Sequence, residues 1–326
     1  MDNNHKIKRI GVLTSGGDAP GMNAAIRSVV RSAAARGIQV LGIRRGYNGL
    51  INGDVTEMNA RSVNGLTSRG GTMLCTARCD EFRYEEGQQR AANACRYLGI
   101  QGLIAIGGDG TFRGLRDLSK FGVQTCGIPA TIDNDIASTD YTLGFDTACN
   151  TAVENIDKLA DTMQSHERIS VVEVMGRHAG HLALYVGIAT GAAAILVPEH
   201  PFDFEQDIIE RIREGRIAGK NHFIVIVAEG VGHASAIAEK IAAETGIDTR
   251  VTIMGHIQRG GSPSARDRVM ATRMGHYAVD CLLAGKSNIV VCYKNAQMID
   301  MNIDEALSMT KCLNENMYDM VKDISK

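Results

Sequence analysis

The sequence has little of what marks membrane, secreted or nucleic-acid-binding proteins. No apolar run approaches the roughly 18 consecutive residues of a membrane span. The polar residues at positions 1–9 are followed by no apolar stretch of signal-peptide length. The 35 basic and 37 acidic residues leave a formal net charge of -2, which argues against binding nucleic acid through its phosphates. We therefore expect a cytoplasmic protein with neither a membrane nor a nucleic acid as its partner.

The sequence also lacks the cysteine and histidine spacings of metal sites. None of its eight cysteines forms a C-x-x-C pair, and no histidine cluster completes a zinc set. The cysteines are Cys75, Cys79, Cys95, Cys126, Cys149, Cys281, Cys292 and Cys312. We expect most of them to be small buried side chains in a reducing compartment. We interpret His256 as a hydrogen-bond donor to a ligand, and His178, His181 and His276 as structural.

Short apolar runs alternate with helical patterns along the chain. The run Arg9–Thr14 precedes a glycine turn and a helix predicted over Met22–Ala35, and Leu103–Ile106 precedes a similar turn and a helix that ends near Gly122. Further strands are predicted at Val40–Ile43, Val123–Ile128, Ile169–Val174, Ala194–Val197 and Phe223–Val227. Continuous apolar strands are typical of parallel sheets covered by helices on both faces. A chain of 326 residues, 44% of them hydrophobic, is therefore predicted to form two domains of the α/β class.

Two glycine-rich turns follow predicted strands and open predicted helices. Gly16–Gly21 has part of the spacing of a P-loop, although Met22-Asn23 stands where Lys-Ser/Thr would be. Gly107–Thr111 is the second turn, and its Asp109 lies among residues with little or no side chain. Glycines let the backbone approach a phosphate, and a helix N-terminus favours an anion. The alternatives are a plain strand-to-helix turn at Gly16–Gly21 and an aspartate that caps the next helix at Asp109.

Carboxylates and arginines near strand ends predict phosphoryl transfer. Asp133 and Asp135 follow the strand that leads into Pro129, and in an extended segment both would point to one side. Transfer to a hydroxyl needs a carboxylate that accepts its proton, with Mg²⁺ neutralising the phosphates. Asp109 is the predicted magnesium carboxylate, since Mg²⁺ binds through one or two carboxylates plus substrate phosphates. The alternative for the Asp133 segment is an Asx-type turn.

Several arginines could bind phosphate oxygens through bidentate contacts. They lie near glycines or predicted strand ends, and they are Arg78, Arg168, Arg177, Arg250 and Arg259. Each of them taken singly is also compatible with a solvated surface arginine. Glu229, at the end of a predicted strand, could accept hydrogen bonds from sugar hydroxyls or cap a turn.

At these motifs the chain resembles the bacterial ATP-dependent 6-phosphofructokinases, from about Ile10 to Ala284. The segments that carry the resemblance are Gly11–Asn23, Gly107–Thr111, Thr131–Asp135, Val174–Arg177 and Gly255–Ser262. Gly-Gly-Asp-Gly-Thr alone also occurs in NAD and lipid kinases, whereas the ordered combination is specific. The resemblance implies transfer of the γ-phosphoryl of ATP to the 1-hydroxyl of fructose 6-phosphate in glycolysis, with Mg²⁺ as the cofactor.

The resemblance also implies an architecture. We expect two Rossmann-like domains with mainly parallel sheets covered by helices, and the active site in the cleft between them. The ATP-binding domain is expected over 1–143 plus 255–304, and the sugar-phosphate-binding domain over 144–254 plus 305–326. The family is tetrameric, so we expect a homotetramer whose subunits share active sites.

The resemblance assigns roles to individual residues. Asp133 matches the base that takes the proton of the sugar 1-hydroxyl, and Asp135 matches a supporting carboxylate near the metal. Thr131 and Arg177 match groups that stabilise the transferring phosphoryl. The ATP-binding positions are matched by Gly17, Arg78, Cys79, Gly108, Asp109, Gly110 and Thr111, with Asp109 on the magnesium. The fructose 6-phosphate contacts are matched by Thr131, Ile132, Asp133, Met175, Gly176, Arg177, Glu229, His256, Ile257, Gln258 and Arg259. Arg168 and Arg250 match arginines that reach the 6-phosphate from a neighbouring subunit.

Two positions bear on the phosphoryl donor, because pyrophosphate-using relatives carry Asp at the position of Gly110 and Lys at that of Ala130. With neither present, ATP is the expected donor.

A second set of positions bears on regulation by ADP or phosphoenolpyruvate. The effector site of regulated members is matched by Arg27, Arg31, Lys220 and His222. Alanine replaces the expected Arg, Arg, Glu and Lys at Ala60, Ala160, Ala193 and Ala218, although the adjacent Arg61 could replace the first. We therefore expect weak or altered allostery, because a bound phosphate needs several charge-assisted partners.

Two other functions compete with this interpretation. A different kinase with the Gly-Gly-Asp-Gly turn, such as an NAD kinase, would give Asp133 and the Met175–Arg177 segment no joint purpose. A non-catalytic nucleotide-binding regulatory subunit would not need to retain base, metal carboxylate and phosphate arginines together.

Overall fold

The computed structural model describes residues 7–324, without the side chains of residues 322 and 324. Residues 1–6 and 325–326 lie outside the described residues. They belong to the polar N-terminal stretch and to the ends of the predicted domains. The chain divides into two compact units. The first is Met1–Thr131, Ile136–Asp146 and Arg259–Lys311, and the second is Ile132–Asp135, Thr147–Gln258 and Cys312–Lys326. The assignment of ATP to one domain and sugar phosphate to the other, with the bounds expected above, stays a prediction.

Strands and helices alternate along most of the described chain. The strands are β1 (Arg9–Thr14), β2 (Gln39–Ile43), β3 (Val55–Met58), β4 (Gly102–Gly107), β5 (Gln124–Pro129), β6 (Ile169–Val174), β7 (Ala194–Leu196), β8 (Phe223–Ala228), β9 (Thr249–Ile253), β10 (Ile289–Lys294) and β11 (Gln297–Asn302). The α-helices are α1 (Met22–Ala34), α2 (Gly46–Asn52), α3 (Glu85–Leu98), α4 (Asp109–Ser119), α5 (Phe145–His166), α6 (His181–Ala189), α7 (Glu210–Ile217), α8 (Ala234–Thr245), α9 (Ala265–Leu283), α10 (Ile303–Ser308) and α11 (Glu315–Ile324).

The first unit is built on a sheet of seven strands in the order β11-β10-β5-β4-β1-β2-β3. The five central strands run parallel, and β3 and β11 pair antiparallel at the two edges. Every residue of β4 is buried, as expected for a strand with helices on both faces. The hairpin β10–β11 turns through Asn295 and Ala296, which both have positive φ (50° and 64°). Such a two-residue turn matches the twist of the strands.

The second unit is built on four parallel strands in the order β7-β8-β6-β9. All six residues of β8 are buried, whereas the edge strand β9 is half-buried or exposed along its length. Phe223 lies at the start of β8 in a core of buried aliphatic side chains from the sheet, α7 and α8. The mainly parallel α/β architecture that the apolar runs predict is therefore confirmed in both units.

The predicted elements agree with the structure to within a few residues. The strands Arg9–Thr14 and Ile169–Val174 are confirmed with the same bounds, and the helix predicted from Met22 ends one residue earlier than expected. All eight cysteines are free thiols, and only Cys95, Cys126, Cys281 and Cys292 are fully buried. The expectation that most of them would be buried is therefore not met, since Cys79 and Cys149 are half-buried and Cys75 and Cys312 are exposed.

Tight packing on α4 gives a test of the fold of the first unit. A Cβ at Gly114 would lie 2.6 Å from the ring of Tyr47, which is buried, stacked on Phe82 and bonded through its hydroxyl to the Thr111 carbonyl (2.6 Å). We expect Gly114→Ala to lower the free energy of unfolding by about 1–3 kcal/mol, because the ring cannot move without breaking these contacts. Urea denaturation measures the change.

Gly110→Ala is the matched control on the same helix, because a Cβ there would meet no atom within 4 Å. It should be neutral or stabilising by up to about 1 kcal/mol, as alanine is the better helix former. Equal unfolding midpoints for the two variants would show that the Tyr47 ring does not constrain α4.

Candidate active site

The first glycine turn joins β1 to α1 in the first unit. Gly16 and Gly21 have φ values of 86° and 106°, in the left-handed region that favours glycine. A Cβ at Gly17 would overlap Nη1 of Arg259, so the missing side chain leaves room for the guanidinium. Two predicted site residues, Gly17 for ATP and Arg259 for the sugar phosphate, are therefore in direct contact. The buried Nε of Arg259 has no hydrogen-bond partner in the structure.

The second glycine turn joins β4 to α4 beside the first. Gly108 occupies the N-cap, and Asp109 is the first residue of the helix, so Asp109 is not the N-cap residue. A Cβ would meet nothing within 4 Å at Gly108 or Gly110. This turn therefore presents bare backbone and the N-terminus of an eleven-residue helix, a combination that suits a phosphate.

The two turns are tied to each other. The Ser15 amide donates to the Ile106 carbonyl (3.0 Å), and the Thr111 hydroxyl donates to the Ser15 carbonyl (3.2 Å). A Cβ at Gly107 would overlap both the Ser15 carbonyl oxygen and the Thr111 hydroxyl. Gly17 and Gly108–Thr111, which the sequence predicts to bind ATP, are thus held together at one edge of the sheet. Arg78 and Cys79 lie in the loop that precedes α3, where Arg78 is exposed and Cys79 is half-buried.

The Asp133 segment is a turn and not an extended chain, so the condition under which Asp133 and Asp135 would point to one side is not met. Ile132 and Asp133 form a turn, and Asn134 has a left-handed φ of 50°. Asparagine adopts this conformation more readily than most residues, which is why a turn forms here. Asp133 is 2% exposed, whereas Asp135 is half-buried.

Arg177 lies across from Asp133 in the second unit. Its Nε is 3.5 Å from Oδ2 of Asp133, and its side chain is 61% exposed. Arg177 has a left-handed φ of 53° and follows Gly176, whose φ is 141°. The buried carboxylate and the exposed guanidinium therefore form a pair that the turn after β6 positions.

Further predicted residues form hydrogen bonds with the turn after β6. The Arg177 amide donates to Oε2 of Glu229 (3.1 Å), and the Met175 amide donates to Oε1 of the fully buried Gln258 (2.9 Å). Met175, Gly176, Arg177, Glu229 and Gln258 are therefore brought together in the second unit. The neighbouring residues His256 and Ile257 are exposed in a short 3-10 turn.

The predicted 6-phosphate arginines share one carboxylate. Nε of Arg168 is 2.6 Å from Oδ2 of Asp248, and Nη2 of Arg250 is 3.1 Å from the same atom. Ser170 and Arg250 are paired in register across the parallel strands β6 and β9, which brings the two arginines to one place. Two guanidinium groups on one carboxylate leave a net positive charge that suits an anion.

Sequence reasoning missed one acidic residue beside the site. Glu173 lies on β6, and its partial burial and the nearby Glu229 carboxylate raise its pKa. The signal was a single acidic residue in the otherwise apolar or neutral strand Ile169–Val174. The histidines expected to be structural differ among themselves: His181 is buried at the start of α6, His276 pairs with Asp280 (3.3 Å), and His178 is exposed.

The predicted effector residues lie in separate parts of the chain. Arg27 and Arg31 are on α1 of the first unit, and Lys220 and His222 precede β8 of the second. Nζ of Lys220 is 5.5 Å from the centre of the Phe223 ring. Ala193, one of the expected losses, is buried.

Two searches of residues 7–324 bear on metals and membranes. No group of three or more His, Cys, Asp or Glu side chains there is arranged to hold a metal ion. None of the helices in that part of the chain has the length and apolar character of a membrane span.

Comparison with known proteins places the chain in a family. Residues 9–282 match the family described as phosphofructokinase. The chain is 54% identical over 320 residues to an ATP-dependent 6-phosphofructokinase of Clostridium botulinum, covering 98% of this chain and 100% of that protein. It is 55% identical, with the same coverage, to ATP-dependent 6-phosphofructokinase 1 of Clostridium perfringens.

Solved structures agree with this placement. Phosphofructokinase from Saccharomyces cerevisiae superposes with a TM-score of 0.88 at 34% sequence identity, over 98% of this chain and 47% of the yeast chain. The chain thus spans about half the length of the yeast protein. With a family match across most of its length and relatives more than half identical to it, this chain belongs to the phosphofructokinase family.

Proposed function

We propose that the protein transfers the γ-phosphoryl of ATP to the 1-hydroxyl of D-fructose 6-phosphate, giving fructose 1,6-bisphosphate and ADP. The protein is a kinase of glycolysis. The observation that carries the proposal is the pair of a buried Asp133 carboxylate and an exposed Arg177 guanidinium, 3.5 Å apart after a strand end. Transfer to a hydroxyl requires one group that accepts a proton and another that stabilises the phosphoryl charge. The names of relatives that are 54% and 55% identical over the whole chain support the same reaction.

In the proposed mechanism Asp133 accepts the proton of the 1-hydroxyl as its oxygen attacks phosphorus in line with the leaving ADP oxygen. Arg177 stabilises the negative charge on the moving phosphoryl together with Thr131, and Asp135 supports the metal side of the site. An arginine fits this task because its fork of N–H donors matches phosphate oxygens. Its side chain is 61% exposed, so it can follow the phosphoryl.

The residues of the second glycine turn fit a magnesium ion carried by the nucleotide. Mg²⁺ binds through one or two carboxylates plus phosphate oxygens and keeps several waters. The half-buried Asp109 supplies one carboxylate, and the open space over Gly108 and Gly110 leaves room for the phosphates. When bound, the ion would neutralise the phosphate charge. The backbone amides of Gly108–Thr111 and Gly17 would orient the nucleotide, with Arg78 and Cys79 beside it.

The sugar phosphate is proposed to bind in the second unit. Glu229 and Gln258 already hold the backbone of Met175–Arg177 in place through hydrogen bonds of 3.1 and 2.9 Å. Glu229, His256 and the backbone of Met175 and Gly176 would contact the sugar, with Ile257 and Arg259 nearby. Arg168 and Arg250 are proposed to bind the 6-phosphate of the sugar that is bound at a neighbouring subunit. The proposed assembly is a cytoplasmic homotetramer with shared active sites.

The phosphoryl donor is the first test. We expect the enzyme to phosphorylate fructose 6-phosphate with Mg-ATP and not with Mg-pyrophosphate, because no carboxylate stands at Gly110 and no lysine stands at Ala130. A coupled assay that follows fructose 1,6-bisphosphate measures both donors. In the variant Gly110→Asp we expect the KM for ATP to rise, because the new carboxylate enters the space over the turn. Faster turnover with pyrophosphate than with ATP would contradict the proposal.

The general base is the second test. We expect Asp133→Asn to lower kcat by about 10²–10⁴-fold, the usual range for a positioned general base. The amide keeps the shape of the side chain but does not accept the proton. Asp161→Asn, a change of the same kind at an exposed position on α5, is the control and should leave kcat unchanged. Near-normal turnover of Asp133→Asn would remove Asp133 from this role.

Regulation is the third test. Alanine at positions 60, 160, 193 and 218 removes four polar groups from the expected effector site, so we expect ADP and phosphoenolpyruvate to change the fructose 6-phosphate saturation curve only weakly. Steady-state kinetics at saturating ATP, which limits competition by the product ADP, measures the shift. A strong shift of half-saturation by both compounds would show that the site is intact.

A further inference from the structure

A short segment runs beside the strand end from which the Asp133 turn departs. The Leu143 amide donates to the Pro129 carbonyl (3.0 Å), and Ala130 and Leu143 form a parallel bridge. The hydroxyl of the fully buried Thr142 donates to the Thr131 carbonyl (2.6 Å). The backbone that leads into the turn is therefore held by two neighbouring residues of this segment.

The segment is in turn held by one buried carboxylate on α9. Oδ1 of Asp267 accepts hydrogen bonds from the Tyr141 hydroxyl (2.6 Å) and from the Gly144 amide (2.8 Å). These two donors flank Thr142 and Leu143 in the sequence. Asp267 is fully buried, and its own amide donates to the hydroxyl of the N-cap residue Ser264 (3.2 Å). The position of the carboxylate is thus fixed by the first turn of a nineteen-residue helix.

Asp267 also lies against the first glycine turn. A Cβ at Gly21 would be 3.7 Å from Cβ of Asp267 and 3.7 Å from Cβ of Leu143, which is ordinary contact distance. Gly21 has a φ of 106° and immediately precedes α1. One side chain therefore lies close to the end of the proposed nucleotide turn and accepts hydrogen bonds from two residues of the segment behind the base turn.

The chemistry of the cluster favours a permanent anchor. A buried carboxylate is tolerated only when donors satisfy it, and hydrogen bonds to a charged acceptor are stronger than neutral ones. Burial and the Asp267 carboxylate raise the pKa of Tyr141 far above its ordinary value, so the tyrosine stays a donor at every working pH. The cation of Arg266 lies over the same ring, 4.8 Å from its centre.

We infer that Asp267 is a positioning residue for phosphoryl transfer, which fixes Thr131 and the strand end before the Asp133 turn through Tyr141, Thr142 and Gly144. The inference rests on the proposed function, because that function makes Asp133 the general base. The residues proposed to contact the substrates are those named above, and Asp267 is not among them. Loss of the anchor should therefore affect the chemical step and leave substrate affinity nearly unchanged.

The test compares Asp267→Asn with Asp280→Asn, the same change on the same helix. Asp280 is 43% exposed and pairs with Arg36 (2.5 Å), away from the segment. We expect Asp267→Asn to lower kcat by about 10- to 10²-fold, since a displacement of about 1 Å at a reacting group has an effect of this size. The KM values for ATP and fructose 6-phosphate should stay within a factor of about three, as for loss of an interaction that acts only in the transition state. Asp280→Asn should change neither constant.

A second variant and a second measurement distinguish a positioning role of Asp267 from a simple loss of folding. Thr142→Val keeps the helix and Asp267 intact but removes the bond to the Thr131 carbonyl, and it should show the same split between kcat and KM. Hydrogen exchange followed by mass spectrometry should show faster exchange of residues 141–144 in Asp267→Asn than in the wild type, and no change in Asp280→Asn.

Three outcomes would overturn the inference. The first is an unchanged kcat in both Asp267→Asn and Thr142→Val. The second is a fall in kcat that matches the unfolded fraction measured by thermal denaturation. The third is unaltered exchange of residues 141–144. If the wild-type enzyme phosphorylated no fructose 6-phosphate, the proposed function would fail, and the exchange measurement would still decide whether Asp267 holds the segment.

Discussion

The proposed nucleotide-binding turns depend on one constraint, which is the parallel pairing of β1 with β4. It places Thr14 opposite Ile106, so both strands end at the same level of the sheet. The two glycine turns and the N-termini of α1 and α4 therefore begin side by side. Neither Gly107 nor Gly17 could carry a side chain without displacing a neighbour, Ser15 in one case and Arg259 in the other. Bare backbone at these positions is a requirement of packing, and the proposed binding of phosphate would use the same property.

The strands could be predicted because burial on both faces leaves a simple trace in the sequence. β6 and β8 are continuous or nearly continuous apolar runs, and their bounds agree with those expected within one residue. The hairpin β10–β11 was not predicted, since its turn is Asn295-Ala296 and lacks the glycine that normally signals such a connection. β9 escaped prediction for a different reason: it is an edge strand whose polar and apolar residues are all partly exposed.

Much of the candidate site could be predicted as a set of residues, but not as a geometry. The sequence pointed to Met175–Arg177, Glu229 and Gln258, and the structure brings them together through backbone hydrogen bonds. It did not reveal the left-handed Asn134, because propensity alone allows an extended chain or a turn at that position. Asp267 could not be found either, since its partner Tyr141 is 126 positions away and neither residue forms a motif with the other.

Two buried aspartates have different surroundings in this structure. Asp267 accepts short hydrogen bonds of 2.6 and 2.8 Å from a tyrosine and a backbone amide. Burial and the Asp267 carboxylate raise the pKa of Tyr141, so the tyrosine keeps its proton and remains a hydrogen-bond donor. Asp133 faces a guanidinium at 3.5 Å, longer than the roughly 2.7–2.9 Å of a charge-assisted hydrogen bond. Arg177 therefore offsets part of the charge of Asp133, and acceptance of a proton from a substrate hydroxyl is the role proposed for this carboxylate. Asp267 and the proposed base Asp133 are connected through Thr142 and Thr131, so we expect a change at the first carboxylate to affect the second.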